Sequence, residues 1–303
     1  MTGPVVFGPS ATACVERMGQ AMKRIALITD STSDIPAEMI ERYGIIIVPL
    51  YVVWGEEQLR DGIDIDNATF YARLPKDPAH PKTSQPSPQD FAQAIRQSGA
   101  EEVVIVTVSA ALSGTMNSAE GARALVDVPV HIVDSRSVSM GLGWQVIMAA
   151  RAREQGGDAQ AMVAAAESVR ERLTMRFAVD TLEYLHRGGR IGGAARFLGT
   201  MLQLKPLLAV DEKSGTIEAV ERARTRQRAI RRLLEIVLER VDSQKPMRVA
   251  VVHTASPEEA RALMEEVEAQ VHPVELFCSE LGPVLGVHGG PGLLGICALN
   301  DSE

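Results

Sequence analysis

Short apolar runs alternate along the first half of the chain with longer segments in which apolar residues recur every three or four positions. Residues 24–29 (RIALIT) form such a run, bounded by polar residues, and predict a buried strand. The small polar stretch Asp30-Ser31-Thr32-Ser33-Asp34 follows, then Pro36 and a helical pattern to Tyr43 that Gly44 closes. Capping residues ahead of an early proline mark a helix start, and a glycine behind marks its stop. Residues 45–53 predict a further strand or pair of strands, 56–66 a turn region with a short hairpin, and 67–74 a short helix. Pro75, Pro78, Pro81, Pro86 and Pro88 make 75–88 a loop, in which Gln85 and Ser87 are biased toward extended geometry. A helix over 89–98, a buried strand over 102–108, a helix over 114–125, a strand over 130–133 and a helix over about 143–155 continue the alternation. Such alternation implies a mostly parallel sheet.

The pattern changes after the turn Gly156-Gly157-Asp158. An Ala-rich helix over 159–173 could join two halves. Beyond it, strands are expected at 176–179, 204–210, 216–222, 248–253, 274–278 and 295–299. Short helices fall at 182–187 and 194–199, and long ones at 225–241 and 257–270. The fold class expected is therefore α/β: an N-terminal α/β domain over 23–158 with a mostly parallel sheet, then a C-terminal α+β domain over 159–303. Residues 1–22 precede the first strand and are expected to form a disordered extension, with Met22 as well as Met1 able to serve as the start.

At 303 residues with 46% hydrophobic and 23% charged content, the chain can bury an ample core. Aromatics are scarce at 4% and Met is plentiful at 12, which fits either a Met-filled core or a malleable apolar cavity. A net charge of −8 argues against nucleic acid as a partner. Cys14, Cys278 and Cys297 show no CxxC spacing and suit a reducing cytoplasm as small buried apolar residues. No apolar run is long enough to span a membrane, which leaves transient contact with a membrane surface compatible with the sequence. The first residues have neither a basic stretch nor a long apolar one, so they make a poor signal peptide.

Several chemistries are missing. There is no GxxxxGK[ST] phosphate loop and no HExxH, and the six histidines lack metal-ligand spacing, so no cofactor or metal is expected. A G-x-G-x-x-G occurs at Gly290, Gly292 and Gly295, but only eight residues follow, too few for the βαβ unit it needs. No G-x-S-x-G surrounds a serine.

What remains is hydroxyl and arginine chemistry. Thr83-Ser84-Gln85-Pro86-Ser87 and Leu112-Ser113-Gly114-Thr115 each place small hydroxyls at a turn, the second between a strand and a helix. Hydroxyls together with helix-start N–H groups can hold one carboxylate or phosphate; the plainer role of Ser113 and Thr115 is helix capping. The acids of Asp30–Asp34 favour capping over anion binding. In His186–Gly193, four glycines and two arginines could hold a ligand closely or simply form a tight turn with solvated arginines. Arg222, Arg224, Arg226 and Arg228 open a helix whose dipole they oppose, so acidic residues are expected nearby. Gly282–Gly292 surrounds His288 with Gly and Pro and reads as a shaped loop presenting an imidazole.

In this order, D-S-T-S-D-I-P at Asp30–Pro36, T-S-Q-P at Thr83–Pro86, L-S-G-T at Leu112–Thr115, Asp134-Ser135, R-G-G-R-I at Arg187–Ile191, R-T-R at Arg224–Arg226 and G-P-V-L-G-V-H at Gly282–His288 resemble the DegV family of bacterial fatty-acid-binding proteins. The likeness runs from about Lys23 to Leu299. It implies a long-chain fatty acid between two domains, with Thr83 and Ser113 supplying the carboxylate hydroxyls. It also implies that Arg190, Arg224 and His288 stand at the head-group or phosphoryl-transfer region. Some members are carrier subunits that present fatty acid to an ATP-dependent kinase subunit and hold the acyl-phosphate. The physics agrees: at ~0.8 kcal/mol per methylene, about fourteen methylenes contribute roughly 11 kcal/mol before ordering costs. The carboxylate must then be hydrogen-bonded, since burying it bare would cancel that gain. The alternative is an enzyme acting on a small anion in the same cleft with His288 as general base.

Overall fold

Apolar strands separated by capped helices build the first half of the molecule; a computed structural model describes residues 24–242 and 244–301. The expected extension over 1–22, with Cys14, lies outside the described residues. The chain runs through β1 (Ile25–Asp30), α1 (Ala37–Tyr43), β2 (Ile45–Val48), β3 (Tyr51–Trp54), β4 (Glu57–Arg60), α2 (Asn67–Arg73) and β5 (Lys82–Ser84). It continues through α3 (Pro88–Ser98), β6 (Glu102–Thr107), α4 (Thr115–Ala122), β7 (Val130–Asp134), α5 (Met140–Glu154) and α6 (Ala159–Arg170). Strands β2-β1-β6-β7 form an all-parallel sheet. Successive residues of its strands serve opposite faces: Leu27, Val104 and Val106 join one core, while Ala26, Ile28, Val103 and Ile105 join another with Phe91 of α3.

The second half holds β8 (Leu173–Ala178), α7 (Glu183–Arg187), a 3-10 helix (Gly192–Gln203), β9 (Lys205–Val210), β10 (Ile217–Ala223) and α8 (Arg226–Leu238). Then come β11 (Met247–His253), α9 (Pro257–Val271), β12 (Glu275–Glu280), α10 (Pro283–Gly289) and β13 (Leu294–Asn300). Its strands form one mixed sheet in the order β10-β9-β8-β13-β11-β12, parallel only between β11 and β12. Helices α8 and α9 cover one face. The other face meets α5, which is buried almost all round, as expected of a helix lacking a polar side. Trp144 of α5 stacks on Phe277 of β12 at 5.2 Å and donates to the Cys297 carbonyl at 3.4 Å. Helix α5 is thus a shared layer between the parallel and the mixed sheet.

Three elements and one cysteine depart from the sequence pattern. The stretch expected as a proline loop contains β5, which pairs antiparallel with β3 through Tyr51↔Ser84 and Val52↔Thr83. Its prolines, Pro81 and Pro86, lie outside the paired residues, where a missing N–H does no harm. The Ala-rich helix stops at Arg170, and Leu173, expected within it, begins β8, because β13 and β9 pair with that segment. The expected loop around His288 is the helix α10, with Pro283 in its first turn. Burial of Val284 and Val287 against Trp54 and Phe70 overrides the poor propensity of its glycines. Finally, Cys297 is buried as expected, but Cys278 is exposed on β12. Among the described residues, no helix is long and apolar enough to cross a membrane.

Candidate functional site

A cavity of about 300 Å³ opens between the ends of the parallel sheet and the inner face of the mixed sheet. That volume is at the lower end for small-molecule sites. Met175 and Phe177 lie two apart on β8, so both side chains point into it, and Ile217, Val252 and Leu293 extend the same apolar wall. Leu50, Val108, Leu112 and Val138 come from the first half, and Val284 and Leu285 come from α10. Polar groups also line the cavity: Thr32, Thr83, Ser84, Gln85, Ser113, Arg190 and His288. Thr83, Ser113, Arg190 and His288, scattered over some two hundred residues of sequence, therefore share one chamber.

Each is positioned by its element. Ser87 and Asp90 make a reciprocal capping box that starts α3 and ends the T-S-Q-P stretch. Thr83 sits on β5, and its Oγ1 lies 2.9 Å from His288 Nε2. Ser113 precedes α4 and its hydroxyl meets Thr115 Oγ1 at 2.8 Å. The two hydroxyl motifs are physically joined. Gln85 Nε2 donates to Ser118 Oγ at 2.9 Å, and its Oε1 passes so close to Gly114 that a Cβ there would stand 1.9 Å away. Glycine in L-S-G-T thus serves close approach rather than backbone freedom. Arg190 Nε donates to the Leu112 carbonyl at 3.0 Å and Nη1 to the Gly188 carbonyl at 2.8 Å, so it ties R-G-G-R to L-S-G-T.

His288 is brought against Gly188, where a Cβ would lie 2.1 Å from its Nδ1. Burial, with Arg190 and His80 nearby, pushes the imidazole down to about 4. It is therefore neutral at physiological pH and carries one N–H. Nδ1 is enclosed and has no hydrogen-bond partner among the described residues. With the proton on Nε2, His288 donates to Thr83 Oγ1 and leaves the Thr83 hydroxyl hydrogen free for an acceptor in the cavity. A weak base of this kind is poorly suited to general-base work, which speaks against the small-anion enzyme.

Arg224 stands elsewhere. It is exposed in the turn between β10 and α8 and is not part of the cavity wall. The acids expected to offset the arginines of α8 are present: Glu259 pairs with Arg226 at 2.6 Å, and Glu221 with Arg232 at 2.8 Å. The Asp30–Asp34 stretch does not cap α1, whose N-cap is Pro36 with no side-chain bond; Asp30 instead caps the 3-10 turn Ser31–Ser33, accepting from Thr32 N at 3.0 Å, and accepts from Val108 N at 2.7 Å, fixing β1 to the end of β6. Met175, Phe177, Ile217 and Leu285 carried no signal in the sequence, because apolar residues on a strand or helix look alike whether they face a core or a cavity.

The family described as "Uncharacterised protein, DegV family" matches residues 24–301. A DegV domain-containing protein of Streptomyces coelicolor is 41% identical over 279 residues, covering 90% of this chain and 98% of its own. Among solved structures, a fatty-acid-binding DegV family protein from Thermus thermophilus is 38% identical with a TM-score of 0.86, covering 92% of this chain and 100% of its own. DegV from Bacillus subtilis, a fatty acid binding protein, is 35% identical with a TM-score of 0.84 and the same coverage of both chains.

Proposed function

The chain belongs to the DegV family, and on that premise we propose that it binds a long-chain fatty acid in this cavity and presents it to an ATP-dependent fatty acid kinase subunit. The observation that carries the reading is a largely apolar cavity into which Thr83, hydrogen-bonded to His288, also faces. Fatty-acid binding by its structural neighbours supports it. The carboxylate accepts from the Thr83 and Ser113 hydroxyls, while the Arg190 guanidinium stays tied to the Leu112 and Gly188 carbonyls beside the head group. The acyl chain lies against Met175, Phe177, Ile217 and Leu285. In transfer, a carboxylate oxygen attacks the γ-phosphorus of the partner's ATP and ADP leaves. Arg190 then faces the added charge of the acyl-phosphate. Arg224, outside the cavity wall, has its role on the docking face toward the kinase.

Native mass spectrometry of the purified chain tests the binding. A co-purifying mass that extraction identifies as a long-chain fatty acid is the expected result. A protein that stays empty and does not take up palmitate after delipidation would overturn it. Acyl-phosphate formed from palmitate, ATP and Mg²⁺ only when a kinase subunit is added tests the presentation step.

A further inference from the structure

Helix α10 carries His288 near its end and lines the cavity with Val284 and Leu285. Its start is held by carboxyls from the other half of the molecule. Gly282 N donates to Asp34 Oδ1 at 3.0 Å, and the Val284 amide faces Asp61. Ser279 Oγ donates to the Asp34 carbonyl at 2.5 Å, and Tyr71 donates to the Leu281 carbonyl at 2.8 Å. Asp61 is 4% exposed and accepts from Ser31 Oγ at 2.7 Å. Asp34 is half-buried as a residue and takes a left-handed backbone, φ 47°, yet its Oδ2 is enclosed. Neither carboxyl has an ion-pair partner among the described residues. The space is tight: a Cβ on Gly282 would stand 3.2 Å from Asp61 Oδ1 and 3.7 Å from Asp34 Oδ1.

We infer that Asp34 and Asp61 are positioning residues for the ligand site: they fix the start of α10 and so set where Leu285 and His288 stand in the cavity. Burial is the main cause that raises Asp34 to about 8 and Asp61 to about 7. Asp34 therefore holds its proton at neutral pH. The enclosed Ser139 hydroxyl stands against the same carboxyl and partly opposes that rise. The other groups facing the pair are Asp30 at the end of β1, Tyr71 of α2 and Glu280 at the end of β12, with His253 of β11 3.9 Å from Glu280. Cys297 of β13 also faces Asp34. Asp61 and Asp30 oppose a charge developing on Asp34, and the hydrogen bonds from Ser139 and Gly282 that favour it do not offset its burial, so the charge loosens the clamp.

The inference rests on the fatty-acid reading only for its probe, palmitate. Asparagine keeps the acceptor for Gly282 and cannot ionise. Asp34→Asn and Asp61→Asn should therefore bind palmitate about as the parent does at pH 6.5. The parent should weaken roughly tenfold between about pH 6.5 and 9, and the double variant Asp34→Asn, Asp61→Asn should not. Asp34→Ala and Gly282→Ala should weaken binding roughly tenfold at pH 6.5 and shift the imidazole NMR resonances of His288, assigned through His288→Gln. The melting transition of each variant reports folding, and Gly282→Ala decides the matter where Asp34→Ala does not fold. Resonances of His288 unmoved in folded Asp34→Ala or Gly282→Ala overturn the inference whatever palmitate does. A pH-independent parent affinity overturns it as well. Failure of the parent to bind palmitate at all would sink the fatty-acid reading instead, and the resonances would still decide the clamp.

Discussion

Replacing Thr83 by Val removes one hydroxyl and little else. Thr83 pairs with Val52 across an antiparallel ladder, and Val keeps the branch that strands favour. In the free protein, His288 loses the partner of Nε2 while Nδ1 already has none, a stability loss of about 1–3 kcal/mol for a buried polar group left unpaired. That loss is present with or without ligand, so it cancels from the affinity. What does not cancel is the donor to the ligand carboxylate. Hydrogen bonds to charged groups are worth about 1.5–3 kcal/mol, so the dissociation constant for palmitate should rise roughly 10- to 150-fold. Titration calorimetry on delipidated protein measures it, with hexadecanol as the comparison ligand of equal alkyl length and no charge. The acid should lose much more affinity than the alcohol. Palmitate affinity within twofold of the parent, or equal losses for acid and alcohol, would refute the placement of the carboxylate at Thr83.

Three further outcomes are expected. Gly188 has ordinary right-handed backbone angles, so Gly188→Ala acts by sterics alone; its Cβ displaces the His288 ring, and palmitate affinity should fall roughly tenfold, read by the same titration. The folded-state value of His288 is lowered to about 4 from 6.5, so the unfolded chain binds the extra proton between those values; stability is complete above pH 6.5 and falls as pH drops toward 4. Chemical denaturation of His288→Gln across that window should show a shallower acid loss than the parent, and an equal slope would contradict a buried neutral imidazole. Arg190→Ala should spare palmitate affinity to within a few-fold yet depress acyl-phosphate formation with a cognate kinase, whereas equal loss of both would make Arg190 a carboxylate ligand.

The sequence by itself determined most of the local architecture. Alternating apolar runs and capped helices define the parallel sheet, and features such as Ser87-Pro88 and Gly44 act within a few residues of the structure they dictate. Small hydroxyls at turns and glycines beside arginines also marked Thr83, Ser113 and Arg190 as candidates, since turn chemistry is local too. Tertiary structure decided the rest. Residues 82–84 became a strand because β3 offered unpaired backbone groups, and 283–289 became a helix because Trp54 and Phe70 offered a surface to bury Val284 and Val287. That His288 would meet Thr83, that Gln85 would need Gly114 bare, and that Arg224 would stand outside the cavity are facts of three-dimensional proximity. An apolar residue's pattern states only that one side of it is dry. Whether that dryness comes from packed neighbours or from the wall of a cavity, as at Met175 and Phe177, is settled only when two sheets and the helix between them come together.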